Sequence, residues 1–205
     1  MILCVAANPS IDRVFRVDRL RPGEIHRPVE LIALPGGKGL NVARSAARLG
    51  ADVVSAALLA GHAGRFVAER MEAEGVALEA VWTEGETRTS LSVAPHGDRL
   101  TEFYEHGDPV REPDWHDFAA LVRSLAVRAS WMTISGSLPP GAPADGYLSL
   151  IGLARTAFDS REAGVEARPA LVKVNTAEAE LLTGTATGPK AVRRPAMSIS
   201  LMRYQ

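Results

Sequence analysis

The chain has 205 residues, with 23 basic and 24 acidic side chains and a formal net charge of −1. A chain of this length can bury one α/β core with a small appendage, and its balanced charge gives no general attraction to nucleic acid or anionic membranes. We therefore expect binding in specific pockets, with neither nucleic acid nor a membrane as partner.

The single cysteine, Cys4, lies in the apolar run 2–7 and has no second cysteine with which to form an internal disulfide. This is typical of a protein in the reducing cytoplasm, and we predict that location. The run is too short for the apolar part of a signal peptide or for a membrane span. The five histidines show no metal-ligand spacing, so a structural zinc site is not expected.

Strand-like and helix-like segments alternate along the chain. In chain order, the predicted strands are 2–7, 13–20, 26–34, 52–59, 77–82, 87–94, 99–106, 131–135, 156–159 and 170–174. The predicted helices are 41–49, 64–74, 114–127, 147–154 and 176–182. This alternation predicts an α/β fold with a mostly parallel sheet between two helix layers.

One part of the pattern does not fit a parallel layer. Segments 87–94 and 99–106 alternate between apolar and polar residues and are joined by 95–98, which is typical of an antiparallel hairpin. Together with 13–20 and 26–34, this hairpin is expected to form a small separate sheet that covers one end of the α/β body as a lid. The lid strands also offer an edge for pairing with another chain, and thereby a route to a homodimer.

Two loops are candidates for ligand binding. The glycine-rich loop 35–39 precedes the helix predicted to begin at Asn41, and its bare backbone and the N–H groups of the helix start suit a polar or anionic ligand. A plain chain reversal explains the same residues. The loop 136–141 follows the predicted strand 131–135, and ligands of open α/β sheets bind at the carboxyl ends of strands.

Residues 185–205 show no sustained periodicity and carry four basic residues without an acidic one. A nucleic-acid-binding arm and a frayed terminus both fit this composition, and the segment's shortness favours an unstructured tail.

Several motifs resemble those of the ribokinase/PfkB family of carbohydrate kinases, and within it the branch of 1-phosphofructokinases and tagatose-6-phosphate kinases. They lie at 7–12, 36–43, 87–89, 134–141, 158–160 and 171–178. The resemblance implies a ribokinase-like three-layer αβα fold with a β-sheet lid, in a kinase domain covering 1–184. It also implies that ATP and Mg²⁺ are used to phosphorylate a hydroxyl group of a sugar phosphate, of the fructose 1-phosphate or tagatose 6-phosphate type.

The resemblance also implies which residues bind the acceptor. The matching positions for sugar hydroxyls are Asp12, Gly36, Gly37 and Asn41, those for the acceptor's phosphate are Arg27, Lys38 and Arg88, and Ser137 lies near the acceptor. Carboxylate and amide oxygens accept from hydroxyl groups, and ammonium and guanidinium groups bind phosphate. On their own, Asp12 also fits a turn residue, Asn41 fits a helix N-cap, and each basic residue fits a solvated surface charge.

At the nucleotide end, the resemblance assigns Lys173, Asn175 and Glu178, the last two as an Asn-x-x-Glu motif that positions Mg²⁺ and phosphate. A capping box with Asn in place of Ser or Thr explains Asn175 and Glu178 without a ligand.

The sequence departs from the family at one decisive place, because it contains no Gly-Ala-Gly-Asp motif. In the family, the aspartate of this motif is the general base, and the glycine-rich helix start stabilises the transferring phosphoryl group. We therefore expect no catalytic base in this chain, the last third of the fold missing, and doubtful activity. The alternatives are a non-catalytic sugar-phosphate-binding protein, a partner subunit, and an unstable relic with an uncovered sheet edge.

Overall fold

The computed structural model describes residues 1–97, 99–160 and 167–175. The predicted helix 176–182, Glu178 and the predicted tail 185–205 lie outside the described residues.

Ten strands and three helices form the described part of the chain. In chain order they are β1 (Ile2–Ala6), β2 (Ser10–Val17), β3 (Glu30–Gly36), α1 (Lys38–Arg48), β4 (Val53–Ala60), α2 (Gly61–Ala73), β5 (Ala77–Thr83), β6 (Thr89–Pro95), β7 (Thr101–Tyr104), α3 (Glu112–Ala126), β8 (Trp131–Ser135), β9 (Thr156–Asp159) and β10 (Leu171–Val172).

The main sheet has six parallel strands in the order β10-β9-β8-β1-β4-β5, as the alternating pattern predicted. Every residue of β4 is buried, because helices cover both faces of this part of the sheet. Leu3 and Val5 of β1 pack in the apolar cluster that contains α3, whereas Cys4 and Ala6 pack in the cluster that contains α1 and α2. Cys4, in the predicted strand 2–7, is therefore a buried strand residue.

The second sheet has four strands in the order β3-β2-β6-β7. It confirms the expected separate sheet, with β2 and β6 as parallel neighbours at its centre and β3 and β7 antiparallel at its edges. The prediction was wrong about both ends of β2 and about the start of β3. β2 begins at Ser10 directly after the Asn8-Pro9 turn, and the segment 18–29, predicted to belong partly to strands, connects β2 to β3 without strand structure.

The start of α1 also differs from the prediction. The helix begins at Lys38, with Gly37 as its N-cap at a φ of 87°, and the Asn41 N–H donates to the Gly37 carbonyl over 3.0 Å. The interpretation of Asn41 as an N-cap is therefore wrong, because Asn41 lies in the first helical turn. A glycine can cap the helix here since it adopts a positive φ without steric cost.

The predicted helix 147–154 is wrong. The segment is a series of turns, in which the Leu148 N–H donates to the Asp145 carbonyl over 2.8 Å and the Leu150 N–H donates to the Tyr147 carbonyl over 3.1 Å. Tyr147 and Leu150 are fully buried, and Gly152 has a φ of 98°, outside the helical region. Tertiary packing has here overridden the local helical pattern.

Candidate functional site

A cleft of ≈ 1030 Å³ lies between the lid sheet and the carboxyl ends of the main-sheet strands. Seven of the residues predicted from the sequence line it: Asp12, Gly37, Lys38, Asn41, Arg88, Ser137 and Asn175. Sequence segments as distant as 8–14 and 136–144 meet in this space, so the described fold gathers most of the predicted site.

The glycine-rich loop lets α1 begin directly against β1. A Cβ atom on Gly39 would lie 2.5 Å from the Val5 carbonyl oxygen and 2.8 Å from the Ala6 Cα, so only glycine permits this packing. The close approach places the first turn of α1, with Lys38 and Asn41, on the floor of the cleft.

Asp12 lies on β2 and accepts a hydrogen bond from the Ser10 hydroxyl over 2.7 Å. A Cβ atom on Gly36 would overlap the Asp12 carboxyl group. Gly36 does not line the cleft itself, but its missing side chain leaves the space in which the Asp12 carboxylate lies. The carboxylate is thereby available to accept hydrogen bonds from hydroxyl groups of a ligand.

Arg88 is held by several hydrogen bonds at the base of the lid. Its Nε donates to Asn8 Oδ1 over 3.0 Å, one terminal nitrogen donates to the Asn8 carbonyl over 3.2 Å, and the other donates to the Ser90 hydroxyl over 3.2 Å. Burial lowers the pKa of Arg88, while the Asp12 carboxylate acts in the opposite direction. A guanidinium fixed in this way is a preorganised donor for a phosphate or carboxylate ligand.

Asn8 connects this guanidinium to the opposite wall. Its side-chain nitrogen donates to the Ser137 hydroxyl over 3.2 Å and to the Leu138 carbonyl over 3.4 Å. Ser137 thus lies in one hydrogen-bonded network with Arg88. The sequence analysis included Asn8 in the motif 7–12 without assigning it a role, although it follows a buried parallel strand, which is a position typical of ligand-binding residues.

Asp159 joins two lysines at the carboxyl end of β9. Lys38 Nζ donates to its Oδ1 over 3.1 Å and Lys173 Nζ donates to its Oδ2 over 2.8 Å. The Asp159 side chain is only 14% exposed. The sequence analysis placed this carboxylate in the motif 158–160 but assigned it no role, although its place at the end of a parallel strand is the signal by which a role can be found.

The lid contributes a third set of polar groups, which sequence reasoning missed. The Tyr104 hydroxyl donates to Glu102 Oε1 over 2.7 Å, and the Ser92 hydroxyl donates to the same oxygen over 3.3 Å. The hydrogen bond to Glu102 raises the pKa of Tyr104 to about 12. The signal for these residues is their alternation along β7, which places Glu102 and Tyr104 on one face.

Residues 1–198 match the model of the pfkB family of carbohydrate kinases. The chain belongs to this family. Solved structures similar to it include a Thermotoga maritima protein described as a possible 1-phosphofructokinase, with 24% identity, a TM-score of 0.79, and coverage of 93% of this chain and 63% of that one. Escherichia coli phosphofructokinase-2 in complex with fructose-6-phosphate has 25% identity, a TM-score of 0.80, and coverage of 95% and 66% respectively.

The same E. coli enzyme in complex with substrates and products has 26% identity, a TM-score of 0.82, and coverage of 92% of this chain and 65% of that one. The chain thus spans slightly less than two thirds of the length of these structures. The six-stranded parallel sheet with its small lid sheet is the ribokinase-like fold expected from the sequence motifs.

Besides Gly36, two described residues expected from the pfkB motifs, Arg27 and Lys173, do not line the cleft. Arg27 is exposed in the connection between β2 and β3 and is not among the cleft residues. Lys173 contacts the site through Asp159. Glu178 lies outside the described residues, so its expected role stays a prediction, as does that of Arg27.

Within 1–97, 99–160 and 167–175, no group of three His, Cys, Asp or Glu side chains is arranged to hold a metal ion. In the same part of the chain, every helix is too short or too polar to cross a membrane.

Proposed function

We propose that the cleft binds a sugar phosphate, and that the pfkB fold of this chain serves ATP-dependent phosphorylation of a ketohexose phosphate such as fructose 1-phosphate or tagatose 6-phosphate. The observation that carries this proposal is the Arg88 guanidinium, held by Asn8 in the same cleft as the Asp12 carboxylate. One group suits a phosphate and the other suits hydroxyl groups, which are the two features of such an acceptor. A relative of this fold is described as a complex with fructose-6-phosphate.

The other acceptor residues have roles that follow from their chemistry. The Asn41 amide and the Ser137 hydroxyl both donate and accept hydrogen bonds, which suits them to orient sugar hydroxyls. Lys38 adds a second cation, and it binds the acceptor's phosphate while its contact with Asp159 fixes its position.

The described residues include fewer of the predicted nucleotide-binding residues than of the predicted acceptor-binding residues. ATP with Mg²⁺ would supply the phosphoryl group, and of the two predicted nucleotide residues that the structure describes, Asn175 lines the cleft. The described residues do not form a cluster of metal ligands, so they do not by themselves fit a protein-made Mg²⁺ site. Mg²⁺ in kinases is held largely by substrate phosphates and water.

The residues of this chain favour binding over transfer. The 205 residues contain no Gly-Ala-Gly-Asp motif, which in the pfkB family supplies the general base and the anion-stabilising helix start. Because phosphoryl transfer depends mainly on positioning and charge stabilisation, we expect a chain without these groups to transfer the phosphoryl group several orders of magnitude more slowly. The second candidate function is accordingly a non-catalytic sugar-phosphate binder or partner subunit.

Calorimetry on the 205-residue chain tests the proposed binding of a sugar phosphate, and a coupled ATP assay tests the expected lack of turnover. We expect fructose 1-phosphate, fructose 6-phosphate or tagatose 6-phosphate to bind without nucleotide, with a dissociation constant between about 1 μM and 1 mM. We also expect turnover far below about 1 s⁻¹. Absence of binding by all three sugars would contradict the acceptor site, and turnover at the usual enzyme rate would contradict the expected incapacity.

A further inference from the structure

Two rows of side chains cross the lid sheet and line the cleft. The row nearer the main sheet consists of Asp12, Ser90 and Tyr104, which are paired across β2, β6 and β7. The outer row consists of Val14, Ser92 and Glu102. Successive residues on one face of a strand are about 7 Å apart, so the outer row contacts a different part of a ligand than Asp12 does.

Glu102 is the charged residue of the outer row, and one of its oxygens is available to a ligand. Among the described residues, its hydrogen bonds come from Tyr104 and Ser92, and both end on Oε1. Both donors belong to the lid itself, so they hold the carboxylate in place on the cleft wall. Oε2 of Glu102 therefore retains its capacity to accept hydrogen bonds.

Two of the described residues that line the cleft, Arg88 and Lys38, are cationic, and neither belongs to the outer row. Arg88 is bound to Asn8 at the base of the lid, and Lys38 is bound to Asp159 at the start of α1. A phosphate group near these cations is stabilised, whereas a second phosphate against Glu102 meets a like charge. A hydroxyl group at the same place donates a hydrogen bond to the carboxylate.

We propose that Glu102 is a specificity-determining residue, which makes the outer part of the cleft accept a hydroxyl group and disfavour a phosphate. The site then binds a sugar with one phosphate in preference to the corresponding bisphosphate, which is also the product of phosphorylating such a sugar. This inference rests on the proposed function, since it concerns the same acceptor cleft.

The test compares fructose 1-phosphate and fructose 6-phosphate with fructose 1,6-bisphosphate, by calorimetry at low ionic strength without nucleotide. In the wild-type chain we expect the better monophosphate to bind at least about fivefold more tightly than the bisphosphate. In Glu102→Gln, which keeps the size of the side chain, we expect this preference to fall about five- to tenfold, mainly through tighter binding of the bisphosphate.

Glu69→Gln is the matched control, because Glu69 is an exposed carboxylate on α2 that does not line the cleft. It removes the same charge and should leave the preference unchanged. Equal preferences in Glu102→Gln and wild type, or an equal shift in both variants, would overturn the role of Glu102 while leaving the proposed function intact. Failure of wild type to bind any of the three sugars would overturn the proposed function and this inference with it.

Discussion

The guanidinium of Arg44 on α1 binds both carboxylate oxygens of Glu74, which follows α2, with Nε to Oε2 at 2.9 Å and a terminal nitrogen to Oε1 at 2.7 Å. Its other terminal nitrogen donates to the Pro35 carbonyl of β3 over 3.0 Å. One buried cation thus connects both helices to the lid strand that leads into Gly36 and Gly37. The lid is therefore fixed to the α/β body at the edge of the cleft.

Removing the carboxylate of this pair should destabilise the fold. The side chain of Arg44 is only 8% exposed, so Glu74→Gln leaves a nearly buried cation without its counter-charge. We expect the free energy of unfolding to fall by about 2–3 kcal/mol, less than for a fully buried pair because Glu74 is partly exposed. Urea denaturation measures this change, and a loss below about 0.5 kcal/mol would contradict it. Glu69→Gln on the surface of α2 serves as the control.

The same pair makes stability depend on pH. The hydrogen bond from Arg44 lowers the pKa of Glu74. The folded state therefore keeps this carboxyl ionised to lower pH than the unfolded state, and the stabilisation is complete above the unfolded pKa of about 4.3. It is lost as the pH falls below that value and through the folded pKa. We expect the difference in unfolding free energy between wild type and Glu74→Gln to be constant at about pH 6–8 and to shrink below about pH 4. A constant difference down to about pH 3 would contradict this assignment.

The sequence predicted the strands, the lid and seven of the residues that line the cleft, because those features depend on local patterns. Gly36 and Gly37 lie beside a helix start, and Asp12 and Arg88 lie in motifs that can be recognised without the fold. The pair of Arg44 and Glu74 could not be predicted in this way, since thirty residues separate its members and both fit ordinary surface positions on helices.

Tertiary contacts also account for the errors within the predicted elements. The helical pattern of 147–154 gives way to turns because Tyr147 and Leu150 are fully buried, and the Tyr147 hydroxyl donates to the Ser137 carbonyl of the loop 136–141 over 3.2 Å. Glu102 and Tyr104 escaped notice because their role depends on which face of the hairpin covers the cleft. A change of one residue in the register of β7 would turn the side chains of Glu102 and Tyr104 away from the cleft.

Gly36 should tolerate a side chain only when the Asp12 carboxyl group is absent. In the wild-type background, Gly36→Ala forces its Cβ atom into the Asp12 carboxyl group, and we expect a loss of about 1–3 kcal/mol in unfolding free energy. In the Asp12→Ala background the obstacle is removed, so the same substitution should cost less than about 0.5 kcal/mol. A double-mutant cycle by chemical denaturation measures the coupling between the two positions. Equal costs in both backgrounds would show that something other than Asp12 excludes the methyl group.

Arg88 should contribute more to acceptor binding than Arg65, an exposed arginine away from the cleft. Arg88→Ala removes the guanidinium that the proposed function assigns to the acceptor's phosphate, and we expect sugar-phosphate affinity to fall about 10- to 100-fold, the worth of one or two charge-assisted hydrogen bonds. Arg65→Ala, at an exposed position of α2, removes the same charge without touching the cleft. Calorimetry with inorganic phosphate and with fructose 1-phosphate, on variants shown to unfold cooperatively, separates these effects. Equal losses of affinity in both variants would indicate a general charge effect and would contradict the assigned role.

The lid edges are expected to pair two copies of this chain. Leu31 on β3 and Phe103 on β7 are 57% and 58% exposed. Both belong to edge strands of the lid sheet, where one side of the strand has no neighbouring strand among the described residues. Such edges favour strand pairing, which a charged side chain prevents. We expect light scattering after size-exclusion chromatography to give the mass of a dimer for the wild-type chain and of a monomer for Leu31→Lys or Phe103→Lys. Leu49→Lys, at a residue that is 88% exposed just after α1, places the same charge away from the lid and should leave the dimer intact. A wild-type monomer, or a dimer that survives both lid substitutions, would show that the lid edges do not join two chains.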